Sequence, residues 1–210
     1  MEPGRPLIFD LDGTLWDSTE VVARAWNDAL QEAGLGFGPL CASDIGAIMG
    51  FTHEQIRQRL FPELEVARWQ EFSCLAYARE EEFLREQGGL FYPGVRETLP
   101  HLAERHPLAI VSNCQKGYIE VFLEWSGLRG MFRDWECHGN TGLSKGENLL
   151  GLCRRQNWNG ALYVGDTAGD EAAAREAGCD FLFASYGFGQ ASHLAPVLQS
   201  FEQLSQLVLV

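Results

Sequence analysis

Leu7-Ile8-Phe9-Asp10-Leu11-Asp12-Gly13-Thr14-Leu15 is an apolar run that closes on two carboxylates, a glycine and a threonine. The residues before Asp10 have the unbroken hydrophobicity of a strand buried on both faces, as in a parallel sheet. Asp10 and Asp12 follow two residues apart as that strand ends, so both can face one side. Gly13 permits a sharp turn directly after them. One carboxylate can attack while the other transfers a proton, if their surroundings differ enough to separate two similar groups. An isolated D-x-D-G is equally an acidic turn after a strand, so the rest of the chain must decide.

Three further apolar runs repeat the pattern: Leu108 to Val111, Ala161 to Val164 and Phe181 to Ala184. Helical segments separate them. Tyr118 to Trp125 has helical periodicity and ends at Gly127, Asn148 to Arg155 is similar, and alanine-rich Asp170 to Ala177 stops at Gly178. Strands alternating with helices predict an α/β fold built on a doubly wound, Rossmann-like parallel sheet. Ligands of such sheets bind beyond the carboxyl ends of the strands. Asp10, Ser112 and Asp166 each fall one or two positions after an apolar run, so the pattern predicts one convergent site.

Roughly a hundred residues separate the first two runs, against the dozen or so that a parallel crossover needs. An insertion is therefore expected. Asp17 with Glu20 and Thr52 with Gln55 resemble N-capping pairs, and Glu63 to Gln87 carries strong helix formers. Gly88-Gly89-Leu90-Phe91-Tyr92-Pro93-Gly94 is dense in helix breakers and marks the return, with a second hinge near Leu15 to Asp17. Residues 16–90 are thus expected to form a mostly helical cap, with 1–15 and 91–210 as the core. Trp16, just past the acidic turn, belongs either beside a substrate or packed at the hinge. Glu80-Glu81-Glu82 reads as a solvated helix face.

The 210 residues are 46% hydrophobic and 21% charged, which suits a folded globular chain. Acidic residues outnumber basic ones 29 to 16, and the net charge of -13 opposes nucleic acid and anionic membrane as partners. A small phosphate ester remains compatible, because exposed charges are screened within about 8 Å. No secretory pattern opens the chain and no 18 apolar residues run together. Six cysteines without a C-x-x-C pair predict reduced thiols and a cytoplasmic protein. The five histidines show no metal-ligand spacing.

Gly165-Asp166-Thr167-Ala168-Gly169-Asp170 adds two carboxylates, the second in the first turn of a helix. Either can hold a hard cation through oxygen, although Asp170 alone is also what a helix dipole favours. Ser144-Lys145-Gly146-Glu147 has the capping-box pattern and puts Lys145 at a helix start, a phosphate-binding placement.

Asp10-Leu11-Asp12-Gly13-Thr14-Leu15, Ser112-Asn113, Lys145 and Gly165-Asp166-Thr167 followed by Asp170 together resemble the four ordered motifs of the haloacid dehalogenase superfamily. The resemblance spans nearly the whole chain and includes the position of the cap. It implies Asp10 as nucleophile, Asp12 as general acid and base, Ser112 and Asn113 as phosphate binders, and Lys145 as charge neutraliser. It further implies Mg2+ held by the side chains of Asp10 and Asp166 and the main-chain carbonyl of Asp12, with Thr14 and Asp170 in support. An aspartate at position 12 favours phosphate chemistry over dehalogenation.

The cap and Tyr92-Pro93-Gly94-Val95 resemble the phosphoglycolate phosphatase and β-phosphoglucomutase group. The expected activity is magnesium-dependent hydrolysis of a small phosphorylated metabolite through an aspartyl phosphate. Met49, Gly50, His53 and Arg57 are the candidate cap residues, Arg57 for a substrate carboxylate. A phosphomutase would use the same core but return the phosphoryl group to a sugar. A receiver-like signalling module also joins an acidic cluster to a lysine, but D-x-D-G-T on the first strand and a long cap suit turnover better.

Overall fold

The structure is a computed structural model and describes residues 4–208. Strand β1 (Leu7–Phe9) is followed by β2 (Trp16–Asp17), then by α1 (Thr19–Glu32), α2 (Ala42–Gly46), α3 (His53–Leu60) and α4 (Val66–Gln87), and by β3 (Leu90–Phe91). Strands β2 and β3 pair antiparallel, so the four helices leave and rejoin the chain through one short ribbon. Beyond it come α5 (Val95–Ala103), β4 (Leu108–Ser112), α6 (Tyr118–Ser126), β5 (Phe132–Cys137), α7 (His138–Thr141) and α8 (Lys145–Gln156). The chain then completes β6 (Leu162–Gly165), α9 (Ala168–Ala177), β7 (Asp180–Ala184), β8 (Val197–Leu198) and α10 (Gln203–Val208).

Six strands form one parallel sheet in the order β5-β4-β1-β6-β7-β8. The fold is α/β and Rossmann-like, as the alternation of runs predicted. β1 lies between β4 and β6, with Ile8 opposite Ala109 and Tyr163. Because successive strand residues point to opposite faces, two cores result. Ile8, Ala109, Val111 and Tyr163 pack with Leu149 and Leu152 of α8 and Ala173 and Ala174 of α9. Leu7, Phe9, Ile110 and Val164 belong to the other cluster, which continues through α6 into the inserted helices.

Two strands of this sheet lie outside the sequence-based pattern, and both are at its edges. β5 carries Arg133, Asp134 and Glu136, and Arg155 of α8 pairs with Asp134 and Glu136, both at 2.7 Å. β8 has only two residues. The Thr52/Gln55 capping box forms at α3. At α1 the expected Asp17/Glu20 box does not. Asp17 Oδ1 instead accepts from Thr19 N at 2.9 Å and Thr19 Oγ1 at 2.7 Å, a turn bond that precedes the helix. Trp16 is fully buried against Tyr118, Phe122 and Trp125, which places it in the packing of the ribbon and α6. All six cysteines are unpaired. Among the described residues, no helix is long and apolar enough to cross a membrane.

Candidate active site

The parallel register brings the carboxyl ends of β1, β4 and β6 together, and with them Asp10, Ser112 and Asp166. The capping box of Ser144 with Glu147 starts α8 so that Lys145 enters the same space, and that of Thr167 with Asp170 starts α9. Asp10, Lys145, Asp166 and Asp170 are all buried, with carboxylate oxygens of the three acids within 4.8 Å of one another. Lys145 Nζ lies 3.1 Å from Asp10 Oδ2 and 2.6 Å from Asp170 Oδ1.

The oxygens divide into two sets. Asp170 uses Oδ1 for Lys145, and its Oδ2 accepts from Thr167 N at 3.0 Å and Thr167 Oγ1 at 2.6 Å. Asp166 Oδ2 accepts from Phe188 N at 2.8 Å and Gly189 N at 3.3 Å. Asp10 Oδ1 is buried with no hydrogen-bond partner. A buried, unpartnered carboxylate oxygen is costly unless a ligand completes it. An all-oxygen donor set fits a hard cation such as Mg2+. Asp10 and Asp166 therefore fit direct coordination, whereas Asp170 fits the support of Lys145.

Close backbone approach builds this site. Gly13 has φ +81°, and any Cβ there would collide with the Asp166 carboxylate. A Cβ on Gly187 would strike the Gly13 carbonyl and Asp166. Both positions require glycine if Asp166 is to stay in place.

Asp12 has different surroundings. Its Oδ1 accepts from Ser18 Oγ at 2.7 Å and Tyr118 Oη at 2.8 Å, and among the described residues it has no ion pair, Lys145 going to Asp10 and Asp170. Burial raises its carboxyl to about 6, opposed by those two hydroxyls. Burial also lifts Asp10 to about 8 against the pull of Lys145, and Asp166 to about 6 with help from the Asp170 charge. Burial alone would lower Lys145, but the two carboxylates beside it carry it above its ordinary value. Two acids of one dipeptide-spaced motif thus face a cation and a hydroxyl pair respectively, the separation that different roles require.

A cavity of about 90 Å³ opens between this cluster and the inserted helices. It is lined by Asp12, Ser112 and Asn113 from below and by Met49, Gly50 and His53 from above. Asn113 Nδ2 donates to the Gly50 carbonyl at 2.8 Å, tying the two parts together, and its Oδ1 is left without a partner, as is Thr14 Oγ1. His53 is fixed: Trp69 Nε1 donates to its Nδ1 at 3.3 Å, and its Nε2 meets Ser73 Oγ at 2.8 Å.

Arg57 does not reach the cavity. Its guanidinium is drawn away to Glu54, at 2.7 Å, and to the Leu64 carbonyl, at 3.3 Å, so the structure does not support its expected contact with a substrate carboxylate. Glu80 departs from the expected solvated face. It is only 4% exposed, lines the cavity, and accepts from Trp26 Nε1 at 2.6 Å and Gln115 Nε2 at 2.7 Å. The sequence does hold a signal for it: Ala76, Glu80 and Leu84 share one helical stripe, and all three are buried. Ser18 and Tyr118, the partners of Asp12, were also missed, and nothing in the linear pattern marks them.

A family model described as "Haloacid dehalogenase-like hydrolase" matches residues 7–184. A phosphoglycolate phosphatase of Chromobacterium violaceum is 33% identical over 90% of this chain and 89% of its own length. One from Synechococcus elongatus is 30% identical over 90% of this chain and 87% of its own. The crystal structure of a predicted phosphoglycolate phosphatase from Haemophilus somnus superposes with a TM-score of 0.82 at 23% identity, over 99% of both chains, and so shares the fold. The chain belongs to the haloacid dehalogenase-like hydrolase family, in its phosphoglycolate phosphatase-like group of phosphoric monoester hydrolases.

Proposed function

We propose that the chain is a magnesium-dependent phosphatase that hydrolyses a small phosphorylated metabolite through phospho-Asp10. The observation that carries this is the contrast between the two acids of the first motif: Asp10 beside Lys145 with one buried oxygen unpartnered, Asp12 beside Ser18 and Tyr118.

Asp10 Oδ1, an Asp166 oxygen and the Asp12 carbonyl would hold Mg2+, which when bound neutralises charge on the transferring phosphoryl oxygens. Lys145 offsets the repulsion between the Asp10 carboxylate and an incoming phosphate, and Asp170 holds its ammonium in place. Ser112, with Asn113 and Thr14 around the same crevice, would bind phosphate oxygens. With Oδ1 engaged by two hydroxyls, Asp12 keeps Oδ2 for the substrate. It protonates the leaving alkoxide and then takes a proton from the water that attacks phospho-Asp10. Residues 16–90 act as the cap, closed over the crevice by the Asn113 bond to Gly50 and the Gln115 bond to Glu80, and they exclude bulk water. The unpaired cysteines suit a reducing, cytoplasmic setting.

The relatives named above are phosphoglycolate phosphatases, which makes two-carbon phosphate esters the first substrates to try. Purified protein with Mg2+ should release inorganic phosphate from p-nitrophenyl phosphate and from such esters, and Asp10→Asn should not. Interconversion of sugar phosphate isomers at constant inorganic phosphate would instead indicate a mutase.

A further inference from the structure

The cavity above the phosphate crevice is lined by two carboxylates and by no lysine or arginine. Its ionisable lining consists of Asp12, Glu80, Tyr77, Tyr118, the Cys114 thiol and two histidines. The basic residues nearest in sequence to Glu80 face elsewhere: Arg79 pairs with Asp28, Glu32 and Glu82, and Arg85 with Glu81 and Glu124. Glu80 forms no ion pair among the described residues. Its two neutral donors, from Trp26 and Gln115, each take one carboxylate oxygen and leave lone pairs on both. Burial is the main force on this carboxyl and holds it up at about 7. A buried carboxylate without a cation is destabilising, and a ligand that brings the cation relieves it. Trp26, Tyr77 and Tyr118 are among the residues that line the space beside it. The space is small, about 90 Å³.

We propose that Glu80 selects the leaving group, and that the preferred substrates are small phosphate monoesters bearing an ammonium group near the ester oxygen. The proposal rests on the phosphatase reading above and narrows it. An ammonium would meet Glu80 in a charge-assisted hydrogen bond, a hydroxyl in a neutral-donor one, and a carboxylate would add a second anion beside Glu80. The absence of Arg57 from the lining removes the one cation that sequence pattern offered for a substrate carboxylate.

Three two-carbon esters of matched size separate these cases: O-phosphoethanolamine, 2-hydroxyethyl phosphate and phosphoglycolate. Initial rates of phosphate release with Mg2+ give kcat/KM for each. The ammonium ester should exceed the hydroxyl ester by about 10-fold and phosphoglycolate by about 10²-fold or more, the spread between charged, neutral and opposed contacts. In Glu80→Gln the ratio of ammonium to carboxylate ester should fall at least about 10-fold, since the charge is removed and the shape kept. A wild-type ranking headed by phosphoglycolate or by the hydroxyl ester overturns the proposal, as does an unchanged ratio in the variant. Should Glu80→Gln not fold, the wild-type ranking decides alone. Hydrolysis of p-nitrophenyl phosphate without any ranking among the three sinks this proposal and leaves the phosphatase reading standing. Failure on p-nitrophenyl phosphate and all three esters overturns both.

Discussion

Lys145 donates to Asp170 Oδ1 at 2.6 Å in a part of the core where the lysine is 6% exposed and the aspartate fully buried. Asp170 is itself held by the cap of α9, so the ammonium is fixed from below before any substrate arrives. Asp170→Asn removes the charge and keeps the shape. Turnover should fall by about 10-fold or more while the circular dichroism spectrum is unchanged, because a preorganised cation becomes a mobile one. Wild-type turnover in this variant would mean that Asp10 alone positions Lys145.

Lys145→Ala should lose more, on the order of 10²-fold in kcat, as expected for removal of one preorganised donor at a charged transition state. It leaves Asp170 buried without its cation, so the melting temperature should also drop. A near-normal rate would exclude Lys145 from the reaction.

Metal removal offers a third test. After chelation the protein should release no phosphate, and Mg2+ should restore release. Mg2+ should also raise the melting temperature, because a ligand that binds only the native state stabilises it. The Gly187→Ala variant should weaken both effects, since its Cβ displaces the Asp166 carboxylate. Full activity after verified removal would contradict the metal assignment.

Glu80 makes stability depend on pH with a definite sign. Its carboxyl ionises near 4.5 in the unfolded chain and near 7 in the native one, so the native state binds the proton more tightly. The burial penalty is absent below about 4.5, grows as pH rises towards 7, and is constant above. Glu80→Gln cannot ionise. Relative to wild type it should gain nothing at acid pH and up to about 3 kcal/mol at pH 8, measured by urea unfolding. A gain of equal size at both pH values would assign the change to packing.

The central strands and the motif residues were legible in sequence because burial on both faces forces a continuous apolar run, as in Leu7–Phe9 and Leu108–Ser112. Edge strand β5 was not, since a strand with one open side can carry Arg133, Asp134 and Glu136. Asp10, Ser112, Lys145 and Asp166 were locatable because each follows a strand or starts a helix, positions that topology alone sends to one crevice. The hydroxyls that hold Asp12 come from Ser18, in the turn beyond the ribbon, and Tyr118, at the start of α6. Their meeting depends on how the inserted helices pack on the sheet, which no local pattern encodes. Glu80 is hidden in the linear pattern because Glu82 is exposed and Glu81 half-buried, so the charge run masks a stripe with a period of four through Ala76 and Leu84.

That the phosphoryl group passes through Asp10 is tested most directly by stereochemistry at phosphorus. Each in-line transfer inverts configuration, so two transfers restore it. A substrate ester made chiral at phosphorus with oxygen isotopes, hydrolysed by the wild-type enzyme with Mg2+, should yield inorganic phosphate of retained configuration. Inversion would show a single displacement by water and would contradict Asp10 as the nucleophile.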